Sequence, residues 1–208
     1  MDHLWLFALF VFGIIVIPGM DMAFVLSSAI VGGPRTGLAA VGGLVAGGIV
    51  HTAMGALGVG LLLQLFPAAF NAILVAGALY VAWMGLGLWR SPATMTDVET
   101  GRPRTMRSAF TRAMLTCLLN PKAYVFMVAV FPQFIRPGQD TLLAQVIALG
   151  AIIAVTQVLV YGAVAFGAAG LRAHLRDSVA AQAVLGRGVA ALLVGTAAWA
   201  LWTGWSGA

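Results

Sequence analysis

Two ionisable residues stand where apolar sequence would bury them. Asp21 follows Pro18-Gly19 inside the apolar run 4–31, and Lys122 follows Asn120-Pro121 inside the run 109–135. A proline inside a helix removes one backbone hydrogen bond and clashes with the preceding turn. Each break therefore frees polar backbone groups beside a charge, and in hydrocarbon those groups must find a partner. A charge at the centre of a bilayer costs at least about 2.5–3.5 kcal/mol on insertion scales, so it faces a partner or a water-filled cavity. Two readings stand. Lys122 projects into a cavity, where it pairs with Asp21 or holds a carboxylate, or the two form a purely structural ion pair that fixes helix register.

Other polar groups lie at similar depth. His51 is fourteen positions into the run 37–66; an imidazole titrates near neutral pH and suits a proton relay, or serves as a hydrogen-bonded helix contact. Thr156, Gln157 and Tyr161 offer neutral hydrogen-bonding groups in the run 142–171. Gln157 and Tyr161, four apart, share a helix face. No His/Cys/Glu cluster has metal-ligand spacing, so no metal is expected. No GxxxxGK[ST] or GxGxxG run predicts a bound nucleotide, and no cofactor is expected. Paired carboxylates and Ser/His arrangements are missing from the helices, so the chain reads as no enzyme. The single cysteine, Cys117, excludes a thiol relay, which needs two.

These residues must be positioned by membrane helices. The 208 residues are 62% hydrophobic and 8% charged, against about 45–50% and about 25% in soluble domains. At about 20 apolar residues per crossing, the runs 4–31, 37–66, 69–89, 109–135, 142–171 and 183–205 predict six transmembrane helices. Period-2 alternation is lacking, which excludes a β-barrel. The net charge of +5 comes from cations between the apolar runs, so it reads as a topology signal rather than a nucleic-acid surface. With six crossings, Arg136 is the one cation on the side of the termini. Arg35, Arg90, Arg102, Arg104, Arg107, Arg112, Arg172, Arg176 and Arg187 lie on the other. By the positive-inside rule both termini face outward and the Arg-rich loop 91–108 is cytoplasmic. Met1-Asp2-His3 carries no Lys or Arg, so no cleavable signal is expected.

The expected architecture is all-α, with two inverted three-helix repeats over 1–90 and 109–208 and with helices 1 and 4 broken. Matched interruptions at the membrane midplane are the sequence pointer to a carrier's binding site at the repeat interface. Gly43-x-x-x-Gly47, with Gly48, Gly55 and Gly58, reads as close helix packing. Trp199, Trp202 and Trp205 read as an interfacial belt.

Pro18-Gly19-Met20-Asp21-Met22, the glycines before His51, Gly77-Ala78-Leu79-Tyr80 to Gly85, and above all Leu119-Asn120-Pro121-Lys122-Ala123 with Phe131-Pro132-Gln133-Phe134 resemble the lysine exporter family. The homoserine/threonine efflux branch looks closest. The resemblance spans nearly the whole chain. It implies export of amino acids or close derivatives across a bacterial cytoplasmic membrane, driven by the proton-motive force. It carries the family's first-helix motif onto Pro18, Gly19 and Asp21, and the fourth-helix motif onto Asn120, Pro121 and Lys122. The family usually has a second proline where Met20 stands, which predicts a blunter first break.

Substrate contacts are thus expected at Pro18, Gly19, Asp21, Asn120, Pro121, Lys122, Gln157 and Tyr161, with Asp21 or His51 exchanging protons. The expected partners are an amino acid, protons and lipid, with no nucleic acid; apolar helix faces also allow a homo-oligomer. The alternative to a secondary exporter is a passive channel or a membrane-embedded accessory subunit.

Overall fold

A computed structural model describes residues 2–58, 67–90, 105–136, 141–174 and 179–205. The regular structure among them is helical: α1 (Asp2–Val16), α2 (Met20–Gly32), α3 (Pro34–Ala56), α4 (Pro67–Arg90), α5 (Met106–Leu118), α6 (Pro121–Ala129), a 3-10 turn (Phe131–Phe134), α7 (Leu142–His174) and α8 (Val179–Trp205). In hydrocarbon an apolar segment must satisfy its backbone internally, and a helix does so.

The first and fourth apolar runs are each two helices meeting at an angle. Leu4–Val16 and Met20–Gly32 bend by 60°, and Met106–Leu118 and Lys122–Phe134 by 54°. The first break turns the chain sharply with one proline, Met20 standing after Pro18-Gly19. Pro18 ends α1 unaided, and Gly19 crosses in extended backbone while Met20 opens α2 with its side chain buried. The second run starts earlier than the hydropathy edge, because Pro34 occupies the first turn of α3, where its missing N–H costs nothing. Its outer part (59–66), positions 91–104 of the Arg-rich loop, and Arg176 lie outside the described residues. At the loop's inner end Thr105 caps α5, its hydroxyl accepting from the Ser108 N–H at 3.2 Å.

By length and composition, α3 and the Leu142–Leu171 part of α7 can each cross a membrane alone, and each bent pair can cross as one span. The outer faces suit lipid, with Leu143, Ile147, Val155, Leu159 and Phe166 of α7 exposed. Trp199 and Trp202 are also exposed.

Glycines set the closest contacts. A Cβ at Gly43 would run into the Phe110 carbonyl, and one at Gly47 would come within 2.7 Å of the Cys117 Cβ, so α3 lies almost backbone-to-backbone on α5. On the neighbouring face α3 packs against α7. A Cβ at Gly77 of α4 would strike the Leu119 carbonyl at the second break, and one at Gly85 would sit 2.8 Å from Val194 of α8. Helix α2 threads the centre, touching α3, α7 and α8, with ten of its thirteen residues buried. The two breaks are thereby held inside the bundle.

Candidate functional site

The polar groups at the site are arranged around the carbonyls that the two prolines free. In an unbroken helix the Ile14 carbonyl would accept from the N–H of residue 18, and a proline has none. The Lys122 ammonium takes its place, donating to Ile14 O at 3.0 Å and to Ile17 O at 2.9 Å. A cation at the C-terminal end of α1 also meets the negative end of its dipole. Gly19 leaves room for this contact, since a Cβ there would lie 3.3 Å from the Lys122 Nζ.

The second break repeats the device. Pro121 leaves the Cys117 carbonyl without its helical donor. His51 Nε2 from α3 lies 3.0 Å from that oxygen, and the Asn120 N–H donates to it as well at 3.0 Å. A carbonyl only accepts, so the bond puts a ring proton on Nε2; when the ring is neutral, Nδ1 is then an acceptor. The ring is held edge-to-face against Tyr124, centroids 4.7 Å apart. The Asn120 side chain caps α6, its Oδ1 accepting from the Lys122 N–H at 3.0 Å.

Between the breaks lies a cavity of about 60 Å³ whose lining includes Asp21, His51, Asn120, Lys122, Gln157 and Tyr161. At about 10–15 Å³ per water, that is room for four to six waters, or for an amino-acid head group with a short side chain. Val11, Ile14, Ile15, Phe126, Met127 and Ile153 form its apolar walls. Asp21 faces the Lys122 ammonium and the Asn120 side chain. Gln157 Nε2 donates to the Leu44 carbonyl at 3.4 Å.

Asp21 Oδ1, His51 Nδ1 and Gln157 Oε1 are buried and find no hydrogen-bond partner among the described residues. A buried polar atom left unpaired costs about 1–3 kcal/mol, more if charged. Three around one cavity are expensive as a structural arrangement and reasonable as a place for a polar guest.

Six of the residues singled out in the sequence therefore share one cavity. Pro18 and Gly19 shape it from the first break without appearing in its lining, and Pro121 shapes the second by opening α6. Thr156 does not join them: its hydroxyl donates to Ile152 O of its own helix at 2.8 Å. The bonds of the Lys122 ammonium to α1 carbonyls were not foreseen. Also unforeseen were Gly48, Cys117 and the apolar walls; the proline-to-carbonyl offset of four residues was the signal that could have found Ile14 and Cys117.

Lipid-compatible helices folded around an internal cavity that gathers polar side chains define a polytopic membrane protein. Residues 12–204 match the LysE type translocator family, and the chain belongs to that family of membrane translocators, which are not enzymes. It is 33% identical over 143 residues, 69% of each chain, to the homoserine/homoserine lactone efflux protein of Salmonella typhimurium. An uncharacterized membrane protein of Vibrio cholerae is 35% identical over 158 residues, 76% of this chain and 75% of its own. The leucine efflux protein of Enterobacter sp. is 32% identical over 134 residues, 64% of each. No solved structure matches the chain significantly.

Proposed function

We propose that the protein is a secondary active exporter of amino acids or close derivatives from the bacterial cytoplasm, working by alternating access. The observation that carries this reading is the cavity between the two broken helices, lined by Lys122 and by Asp21, His51 and Gln157, each with a buried side-chain atom that has no hydrogen-bond partner among the described residues. A zwitterion complements that lining. Its ammonium meets Asp21; its carboxylate meets the remaining donor of Lys122 and the free N–H groups that open α2, at the positive end of that helix. The efflux activities named for the relatives support the same substrate class.

The transporter is read as six spans in two inverted repeats, 1–90 and 109–208, with both termini outside. The packing supports an exchange of halves: α3 lies on α5 as α7 lies on α1, α3 meets α7, and α4 meets α8. At 24 and 27 residues, α4 and α8 are long enough for the third and sixth spans. The proton-motive force drives export through a proton exchanged at Asp21 or His51, since a protonated acceptor no longer holds an ammonium.

Counterflow in proteoliposomes tests the reading. With unlabelled amino acids inside and a trace of labelled amino acid outside, the wild type accumulates label above equilibrium for at least one amino acid, and Lys122→Ala does not. Flux that never saturates and shows no counterflow would instead identify a channel. Export indifferent to protonophores would remove the proton coupling.

A further inference from the structure

The three unpartnered atoms in the cavity share a chemistry. Asp21 Oδ1, His51 Nδ1 and Gln157 Oε1 come from α2, α3 and α7, and with His51 neutral each is an acceptor. Two of them, His51 and Gln157, are oriented from behind. The His51 ring is anchored through Nε2 on the Cys117 carbonyl, and the Gln157 amide through Nε2 on the Leu44 carbonyl. Turning either group would place an acceptor against a carbonyl oxygen, so the acceptor ends are committed to the cavity. Gly48 admits the amide oxygen, since a Cβ there would come within 2.7 Å of Gln157 Oε1.

A carboxylate brings no donors and a hydroxyl brings one. A primary ammonium brings three N–H groups and one positive charge, which matches one carboxylate and two neutral acceptors. We infer that Asp21, His51 and Gln157 together form a receptor for a single primary ammonium group. The naming of its bearer as an amino acid rests on the proposed transport function, but the binding of the ammonium does not. Each N-methyl group on a ligand removes one donor and adds bulk in a small cavity. An α-hydroxy acid in place of the amino acid lacks both the charge and two donors. Such a site rejects ligands without the matched donors far more strongly than it discriminates side chains by size. His51 acts here through an atom distinct from the one that caps the second break.

The purified full-length protein in detergent is titrated with methylammonium, tetramethylammonium, L-homoserine and 2,4-dihydroxybutanoate, and its unfolding temperature is followed. Methylammonium and homoserine raise it in a saturable manner; tetramethylammonium and the dihydroxy acid do not. In Gln157→Met, which keeps the side-chain length and removes one acceptor, methylammonium binds about tenfold more weakly, the size of one neutral hydrogen bond. Equal effects of methylammonium and tetramethylammonium, or none from methylammonium, overturn the receptor. Counterflow separates the two ideas. Methylammonium binding without counterflow of any amino acid leaves the receptor and removes the carrier, whereas α-hydroxy acids exchanged as well as amino acids leave the carrier and remove the receptor.

Discussion

The Lys122 ammonium donates at 3.0 Å to the Ile14 carbonyl, the oxygen whose helical donor Pro18 cannot supply. The reciprocal contact joins His51 to the Cys117 carbonyl, freed in the same way by Pro121. In each case the freed carbonyl of one half of the chain is satisfied by a side chain of the other. The breaks are therefore interlocked, and a motion that separated the halves would free the Ile14 carbonyl and leave the Cys117 carbonyl only the Asn120 N–H unless substrate or water replaced the side-chain donors.

That interlock sets the first prediction. Lys122→Met leaves two carbonyls without their donor and lowers stability by about 1–3 kcal/mol for each, read as unfolding in detergent. Pro18→Ala restores an N–H able to reach Ile14. The Lys122→Met cost is then smaller in the Pro18→Ala background than in wild type, a coupling of about 1 kcal/mol or more in the double-mutant cycle. Additive costs would show that Lys122 stabilises the bundle by other means.

At the second break the donor matters more than the ring. In His51→Gln the amide nitrogen can occupy the place of Nε2, so the fold loses less than about 1 kcal/mol, while His51→Leu leaves the Cys117 carbonyl one donor short and loses about 1–3 kcal/mol. Equal losses in the two variants would assign the contribution of His51 to its packing on Tyr124.

Much of this site was legible because charged and amide side chains are conspicuous in apolar sequence. Asp21, His51, Asn120, Lys122, Gln157 and Tyr161 stood out by type and depth, and they line one cavity. The breaks were legible because proline acts on backbone locally. What escaped was the backbone contact of Lys122: the expectation set it against Asp21 or a bound carboxylate, whereas it donates to two backbone carbonyls, groups every residue carries. The apolar walls escaped for a related reason. Val11 and Ile153 have the composition of residues that face lipid, and only tertiary packing separates a cavity wall from an outer face.

The glycine-lined contact between α3 and α5 gives a paired test. Gly43→Ala sets a methyl against the Phe110 backbone, which cannot retreat, and destabilises by about 1–3 kcal/mol. Gly42→Ala meets nothing closer than the Phe110 ring at 3.6 Å and changes stability by less than about 0.5 kcal/mol. Similar effects of the two in thermal unfolding would place the close approach elsewhere.

Gly48→Ala separates site from scaffold. The added methyl meets the end of the Gln157 side chain, 2.7 Å away at the oxygen, and a flexible tip can shift where a backbone cannot. The unfolding temperature stays near the wild-type value while counterflow at low substrate falls about tenfold or more, as expected when a positioning group moves by about 1 Å. A large fall in stability with unaltered transport per folded molecule would contradict the placing of Gln157 at the binding cavity.

Orientation in the membrane is tested with single cysteines. Cys117 is 2% exposed, so an impermeant maleimide leaves the wild type unlabelled and no background substitution is needed. Thr105 and Thr141 are both exposed, one before α5 and the other after the 3-10 turn, at opposite ends of the broken fourth run. Thr141→Cys is labelled in intact cells, and Thr105→Cys only after the membrane is permeabilised, because the arginines beside Thr105 belong on the cytoplasmic side. The reverse pattern would invert the protein. The route from α5 toward α6 would then lead inward from the outside, and a substrate from the cytoplasm would first meet the α1 end of the cavity, where Lys122 bonds the Ile14 and Ile17 carbonyls.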